Sequence, residues 1–366
     1  MEHGLDADLG FGKEEIDDCL SRGGLLSLEL EFTRKCNLRC TYCYSSAGDA
    51  LHDEMCGERI LDVVLQAKGL GARKIMLLGG GEPLLYPRFR EIVDGIVALG
   101  LSPSLFTNGV LLTPDDCRFL FESGVNVVIK RNSFDPAVQD ALAGVPGAHR
   151  GISRGLGFLQ EAGSPGKGRL LGIQSVICRQ NYAEIEGMWV WARERGITPY
   201  FEVLTCQGRA AENRHLDLEP EEIRDLFHRL SEVDAGRFGI RWVPRPPIAA
   251  FTCRRHLYSC LVTSQGFVQA CTGIDLPLGN VLEKPLADIL RESPVIRDLR
   301  KVYEKIAPEC RQCLFSGECY GCRGNAYQLT GDYLSRDPSC WVPRKEMAQA
   351  GFPGCPISAR REPSGR

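Results

Sequence analysis

The chain has 366 residues, 43% of them hydrophobic and 25% charged, a globular composition with length for one large domain or two ordinary ones, which sets aside disordered and fibrous structure. Its 44 Lys and Arg against 47 Asp and Glu leave a net charge of -3, so no basic excess speaks for nucleic acid. The start lacks the basic and apolar segments of a signal peptide, no apolar run approaches the roughly 18 residues of a membrane span, and the expectation is a cytoplasmic protein without a membrane partner.

Residues 1–24 are expected as an N-terminal extension. From 25 to 231 short apolar runs alternate with amphipathic stretches, the pattern of βα units around a parallel sheet. The first predicted strand, residues 25–32, runs into Cys36, Cys40 and Cys43, with three and then two residues between the thiols. A tetrahedral zinc or a fully ligated cluster takes four protein ligands, so three thiols in one loop suggest an open metal position. The plainer alternative is zinc completed by a distant residue such as His52. The second strand, 74–78, ends on Gly79, Gly80 and Gly81 before Glu82. Glycines there let backbone approach a ligand that any Cβ would exclude. The third and fourth strands, 104–106 and 125–130, lead into Thr107-Asn108 and Asn132-Ser133, the fifth, 170–177, carries Gln174, and the sixth spans 200–205. Thr113-Pro114 and Asp135-Pro136 each read as an N-cap followed by proline at the first helical position. Six βα units make an open, three-quarter barrel with its chemistry at the carboxyl ends of the strands; periodicity alone also allows a doubly wound sheet.

Beyond Ile240 the texture changes. A proline-bearing linker, 232–250, precedes a cysteine-rich region, 251–342, and a tail, 343–366, rich in Pro, Gly and Arg. Of 17 cysteines, eight fall in that region: Cys253, Cys260, Cys271, Cys310, Cys313, Cys319, Cys322 and Cys340. In a reducing cytosol such clustering points to metal or redox chemistry rather than disulfides. The pairs Cys310/Cys313 and Cys319/Cys322 stand only five residues apart, closer than zinc fingers set theirs, and eight thiolates are the number that ligates two cubane clusters. A segment this poor in long periodic stretches is expected to rely on bound metal for its fold.

The three-cysteine loop and the glycine turn one βα unit later together resemble the radical S-adenosylmethionine (radical SAM) enzymes, over roughly residues 25–231. The resemblance implies a partial (β/α)6 TIM-like barrel. It implies a [4Fe–4S] cluster with an open site on Cys36, Cys40 and Cys43, and S-adenosylmethionine (AdoMet) bound with help from Gly79, Gly80, Gly81 and Glu82. Thr107, Asn108, Ser133 and Gln174 match further AdoMet-touching positions by strand order, and Tyr42 the aromatic near the adenine. The cysteine-rich region is similar to the SPASM extension of this family: Gly266 stands five positions before Cys271, and the tight run ends at Cys319 and Cys322. That implies two auxiliary [4Fe–4S] clusters, one on Cys253, Cys260, Cys271 and Cys322, the other on Cys310, Cys313, Cys319 and Cys340. A buried thiol at Cys253 or Cys260, with an open iron, is the alternative. Two departures stand out. The last pair of the run is separated by two residues rather than three, and Thr272 stands where sulfatase-maturing enzymes place an aspartate base, which argues against that activity.

The resemblance implies reductive cleavage of AdoMet and hydrogen abstraction from a peptide or protein substrate, which is thereby modified by oxidation or crosslinking. The second expectation is the same core acting on a tetrapyrrole or small-molecule cofactor precursor, and the third a zinc or iron–sulfur carrier without catalysis. Expected partners are an electron donor such as ferredoxin or flavodoxin and, for a peptide substrate, a separate recognition protein. Cys178, Cys206, Tyr200, Glu202, His256, Tyr258 and Asp275 are placed near the site but read first as structural residues.

Overall fold

The computed structural model describes residues 10–342, so the expected tail, 343–366, and the start of the N-terminal extension lie outside the described residues. All six predicted strands form: β1 (Ser27–Thr33), β2 (Lys74–Gly80), β3 (Ser102–Thr107), β4 (Asn126–Lys130), β5 (Leu171–Ile177) and β6 (Thr198–Val203). Each pairs in parallel with the next, and helices such as Gly57–Gly69, Phe89–Ala98 and Ile185–Glu194 make the crossovers. Among the described residues β1 and β6 do not pair, so the sheet is open, a partial (β/α)6 barrel in place of a closed one. The predicted caps form as read: Thr113 accepts from the Asp116 amide and Asp135 from those of Ala137 and Val138, each ahead of a proline.

Alternation within the strands sorts side chains between two environments. Leu28, Leu30 and Phe32 of β1 are fully buried, and belong to one core with Ile75, Leu77, Leu105, Val127, Ile129 and Ile173 and the helix residues Ile60, Val64, Ile92 and Ile96. Burying side chains of that size contributes about 1.5–3 kcal/mol each. The alternate positions Glu29 and Glu31 are also buried, at 5% and 2% exposure, because β1 has no solvent face.

The cysteine-rich region joins this sheet. Three short strands, β7 (Leu261–Val262), β8 (Phe267–Gln269) and β9 (Gly279–Asn280), extend it beyond β1, with β7 parallel to β1 and the others antiparallel. The segment expected as a linker is also anchored. Ile248 bridges antiparallel to Glu202 on the free edge of β6, and buried Asp234 accepts from Trp189 Nε1 at 2.8 Å, Trp242 Nε1 at 2.9 Å and the Arg193 guanidinium. Among the described residues no helix is long and apolar enough to cross a membrane.

Candidate radical and cluster sites

All six strands contribute to the wall of a cavity of about 250 Å³, through Glu29, Met76, Phe106, Lys130, Gln174 and Tyr200 among others. Cys36, Cys40 and Cys43 line it. Burial, with the nearby charges of Glu82, Cys40 and Cys43, pushes the Cys36 thiol up to about 12. A cationic iron centre offsets that desolvation, which suits a three-thiolate iron–sulfur site. Among the described residues no three His, Cys, Asp or Glu side chains converge closely enough to hold a single metal ion.

The loop is shaped from both sides. Gly79 and Gly81 sit where a Cβ would fall 1.6 Å from the Gly81 carbonyl oxygen and 2.1 Å from that of Lys35, and Gly80 has φ +64°, so the turn after β2 accepts no side chain at these positions. On the far side Arg209 donates through Nε to the Cys40 carbonyl at 2.7 Å and through Nη1 to that of Ala47 at 3.0 Å, while Asn213 donates to the Thr41 carbonyl at 3.0 Å. Neither residue carries a sequence signal; both act through a tertiary approach some 170 residues along the chain.

Glu82, 1% exposed, accepts from Thr107 Oγ1 at 2.7 Å and from the Asn108 amide at 2.8 Å. Burial pushes its carboxyl up to about 7, against those hydrogen bonds, which favour the anion. Thr107 and Asn108 thus reach the cavity and also set the state of Glu82. Tyr42 lines the cavity with Lys130 Nζ 5.3 Å from its ring centroid, and Asn132 donates to its hydroxyl. Gln174 lines it too, bonded to Glu202. Ser133 is not brought there: its hydroxyl donates to Glu184 at 2.6 Å, inside the turn that follows β4. Deeper in, Arg255 pairs with Glu29 at 2.9 Å and donates to the Tyr200 hydroxyl at 2.8 Å, leaving Glu29 Oε2 without a partner. Sequence reading missed Glu29, Lys130 and Arg255, since a Leu-Glu-Leu-Glu strand reads as half solvated.

The cysteine-rich region reaches the same cavity through Thr272 and Gly273, next to Cys271. A second cavity, of about 40 Å³, is walled by Cys310, Cys313, Cys319 and Cys340 with Phe315, Trp341, Arg245 and Arg323. These are the four thiols expected to share one auxiliary cluster. Of the other set, Cys253 and Cys271 both interact with Cys322. Cys260 is not brought to them. The β7/β8 register pairs Leu261 with Gln269. Carried one residue further, it turns Cys260 toward the face of Leu28 and Ala270 and away from that of Cys271, and the cation acting on its thiol is Arg300. Cys178 is buried and does not line the cavity, Cys206 accepts from Arg214, and Asp275 accepts from Gln328. Burial holds His256 neutral, down to about 3.

The family model for the radical SAM superfamily matches residues 30–188, and that for an iron–sulfur cluster-binding domain, SPASM, matches residues 253–314. The chain is 29% identical over 343 residues to the AdoMet-dependent heme synthase of Methanosarcina barkeri, covering 85% of this chain and 94% of the relative. It is 28% identical over 341 residues to the mycofactocin maturase MftC of Mycobacterium tuberculosis, covering 89% and 85%. In fold it is similar to Streptococcus suis SuiB bound to S-adenosylmethionine, with a TM-score of 0.69 at 18% identity over 87% of this chain and 78% of that one. A cavity built on three thiols and a glycine turn, a thiol-rich extension of the same sheet and both family matches agree: the chain is an enzyme of the radical SAM superfamily, binding iron–sulfur clusters and AdoMet and carrying a C-terminal SPASM domain.

Proposed function

We propose that this enzyme oxidises a carboxylate-bearing small molecule of the tetrapyrrole class. The observation that carries the reading is a shared wall: Cys36, Cys40 and Cys43 on one side, and Thr272 and Gly273 beside Cys271 on the other, face one cavity. With its groups bound, such a site supplies a 5′-deoxyadenosyl radical to take a hydrogen atom and an iron–sulfur acceptor for the electron left on the substrate. The ligands proposed for the first cluster are Cys36, Cys40 and Cys43, with Gly79, Gly80, Gly81, Glu82, Thr107, Asn108 and Tyr42 around AdoMet. Lys130 and Arg255 place two cations on the cavity wall, suited to substrate carboxylates. Glu202 acts on Lys130, and Glu29 is paired with Arg255, which fixes where those cations sit. The likeness to heme synthases over nearly their whole length supports the substrate class.

A peptide or protein substrate is the second reading, supported by the equally long match to a mycofactocin maturase. Either reading needs an external one-electron donor of the ferredoxin or flavodoxin kind, and the peptide reading adds a separate recognition protein. The test is anaerobic reconstitution, then dithionite and AdoMet with, in parallel, a carboxylated iron tetrapyrrole and peptides encoded beside the gene. Enhanced 5′-deoxyadenosine with mass loss from the tetrapyrrole is the expected result. Turnover of a peptide alone moves the enzyme to the second reading, and no AdoMet cleavage by a fully iron-loaded protein overturns both.

A further inference from the structure

The second, smaller cavity holds an arrangement that ligating four irons does not require. Arg323 is 1% exposed, and a buried guanidinium is costly unless its charge and donors are used. Yet Arg245 Nε, Arg323 Nε and Nη2, and Arg336 Nε are buried without hydrogen-bond partners, where orphaned buried donors are rare. The rest of each group is fastened. Arg245 Nη2 donates to Glu318 at 2.7 Å, Arg323 Nη1 to the Tyr333 carbonyl at 3.0 Å, and Arg336 Nη2 to the Cys340 carbonyl at 3.0 Å. Arg245 and Arg323 line the cavity with the four thiols, together with Asp337, whose carboxylate accepts from the Cys322 and Ser339 amides and from Asn325, and Arg336 is tied to the cavity wall through the Cys340 carbonyl.

We propose that Arg245, Arg323 and Arg336 form a cationic shell whose unpartnered N–H groups bond the cluster held by Cys310, Cys313, Cys319 and Cys340 and raise its reduction potential. Reduction adds one negative charge to a cluster, and fixed cations and N–H donors at its sulfurs stabilise that form over the oxidised one, which raises the potential. The inference rests on these four cysteines holding a cluster, and the test separates the two claims.

The measurement is an EPR-monitored redox titration of the full-length, iron-loaded protein. A variant combining Cys313→Ala and Cys319→Ala identifies the signal of this site by removing it together with about four irons per chain. Arg245→Gln is then compared with Arg245→Lys. Arg245 is chosen because its other partner, Glu318, is half exposed and no backbone carbonyl depends on it. Full iron content with that one signal shifted to lower potential in Arg245→Gln, and largely restored in Arg245→Lys, is the expected result. An unchanged or raised potential overturns the shell, and so does loss of the cluster in both arginine variants, which would make Arg245 a support for the loop. Persistence of every signal in the double cysteine variant overturns the cluster assignment and the shell with it.

Discussion

The cavity at the strand ends and the cavity at the carboxyl end of the chain are both lined with cysteine, yet they differ in what else lines them. The first, about 250 Å³, has three thiols, bare glycine backbone, Glu82 and a set of paired charges from β1, β4 and β6. The second, about 40 Å³, has four thiols, three aromatic rings, two arginines and Asp337. Room and an incomplete thiol set suit a place where substrate and cofactor come and go. A small pocket with a full set suits a place where only an electron does. The comparison teaches that cysteine count alone does not tell a catalytic cluster from an auxiliary one; space beside the thiols does.

The sharpest way to break that division is to remove the thiols of the larger cavity. With Cys36, Cys40 and Cys43 all changed to Ala, formation of 5′-deoxyadenosine is expected to fall to background, while about two thirds of the iron remains, as expected of one cubane lost from three. Iron analysis and product quantification on the same sample check it; residual cleavage at more than a trace would mean that the smaller cavity also activates AdoMet.

A second variant tests the scaffold of the first loop without touching a thiol. Arg209→Ala removes two charge-assisted donors from the Cys40 and Ala47 carbonyls, and losing such bonds in a partly buried site costs roughly 2–3 kcal/mol. Chemical denaturation of the apo protein is expected to show that loss. EPR of the loaded protein is expected to show disturbance of the cluster on Cys36, Cys40 and Cys43 alone, since Arg209 reaches nothing in the other cavity.

These contrasts also mark what was legible in the sequence. The six strands were, because each is a short apolar or aromatic stretch alternating with an amphipathic helical one; β7, β8 and β9 were not, since two or three residues are too few to show a period. The three-cysteine loop and the glycine turn were legible because covalent spacing is itself the geometry. Arg209, Asn213, Arg245 and Arg323 were not, because nothing local separates a surface arginine from one folded onto a distant carbonyl or thiol. Nor were the acids Glu29 and Glu31 of β1 legible as buried residues, since alternation alone does not tell which face of a strand meets solvent.

The state of Glu82 gives a smaller and pH-dependent effect. Its carboxyl is pushed by burial up to about 7 and is held down in part by the Thr107 hydroxyl. Thr107→Val removes that donor, so the carboxyl rises further and is mostly protonated at neutral pH. If Glu82 accepts from the AdoMet amino group, affinity falls about tenfold, or about 1.4 kcal/mol, at pH 7. It recovers as pH rises past the new value and the anion returns. Calorimetric titration of the loaded variant at pH 7 and pH 8 is the check, and a loss independent of pH would assign Thr107 a direct contact with AdoMet instead of a role through Glu82.

The smallest expected change is the one that decides the first auxiliary site. Spacing alone makes Cys260 as good a ligand as Cys253, but the register of β7 against β1 and β8 sends its side chain to the face of Leu28, where it is 1% exposed in the apolar core. Cys260→Ala then removes one buried sulfur, worth about 1 kcal/mol in a packed site, and leaves iron content and every EPR signal in place. Cys271→Ala, on the opposite face, is expected to disturb one auxiliary signal. If Cys260→Ala instead loses about a third of the iron, the hairpin must rotate when the cluster binds and that site is fully ligated. If it does not, Cys253, Cys271 and Cys322 leave one iron of the auxiliary cluster open, beside Thr272 and Gly273 on the wall of the cavity where the substrate is proposed to sit.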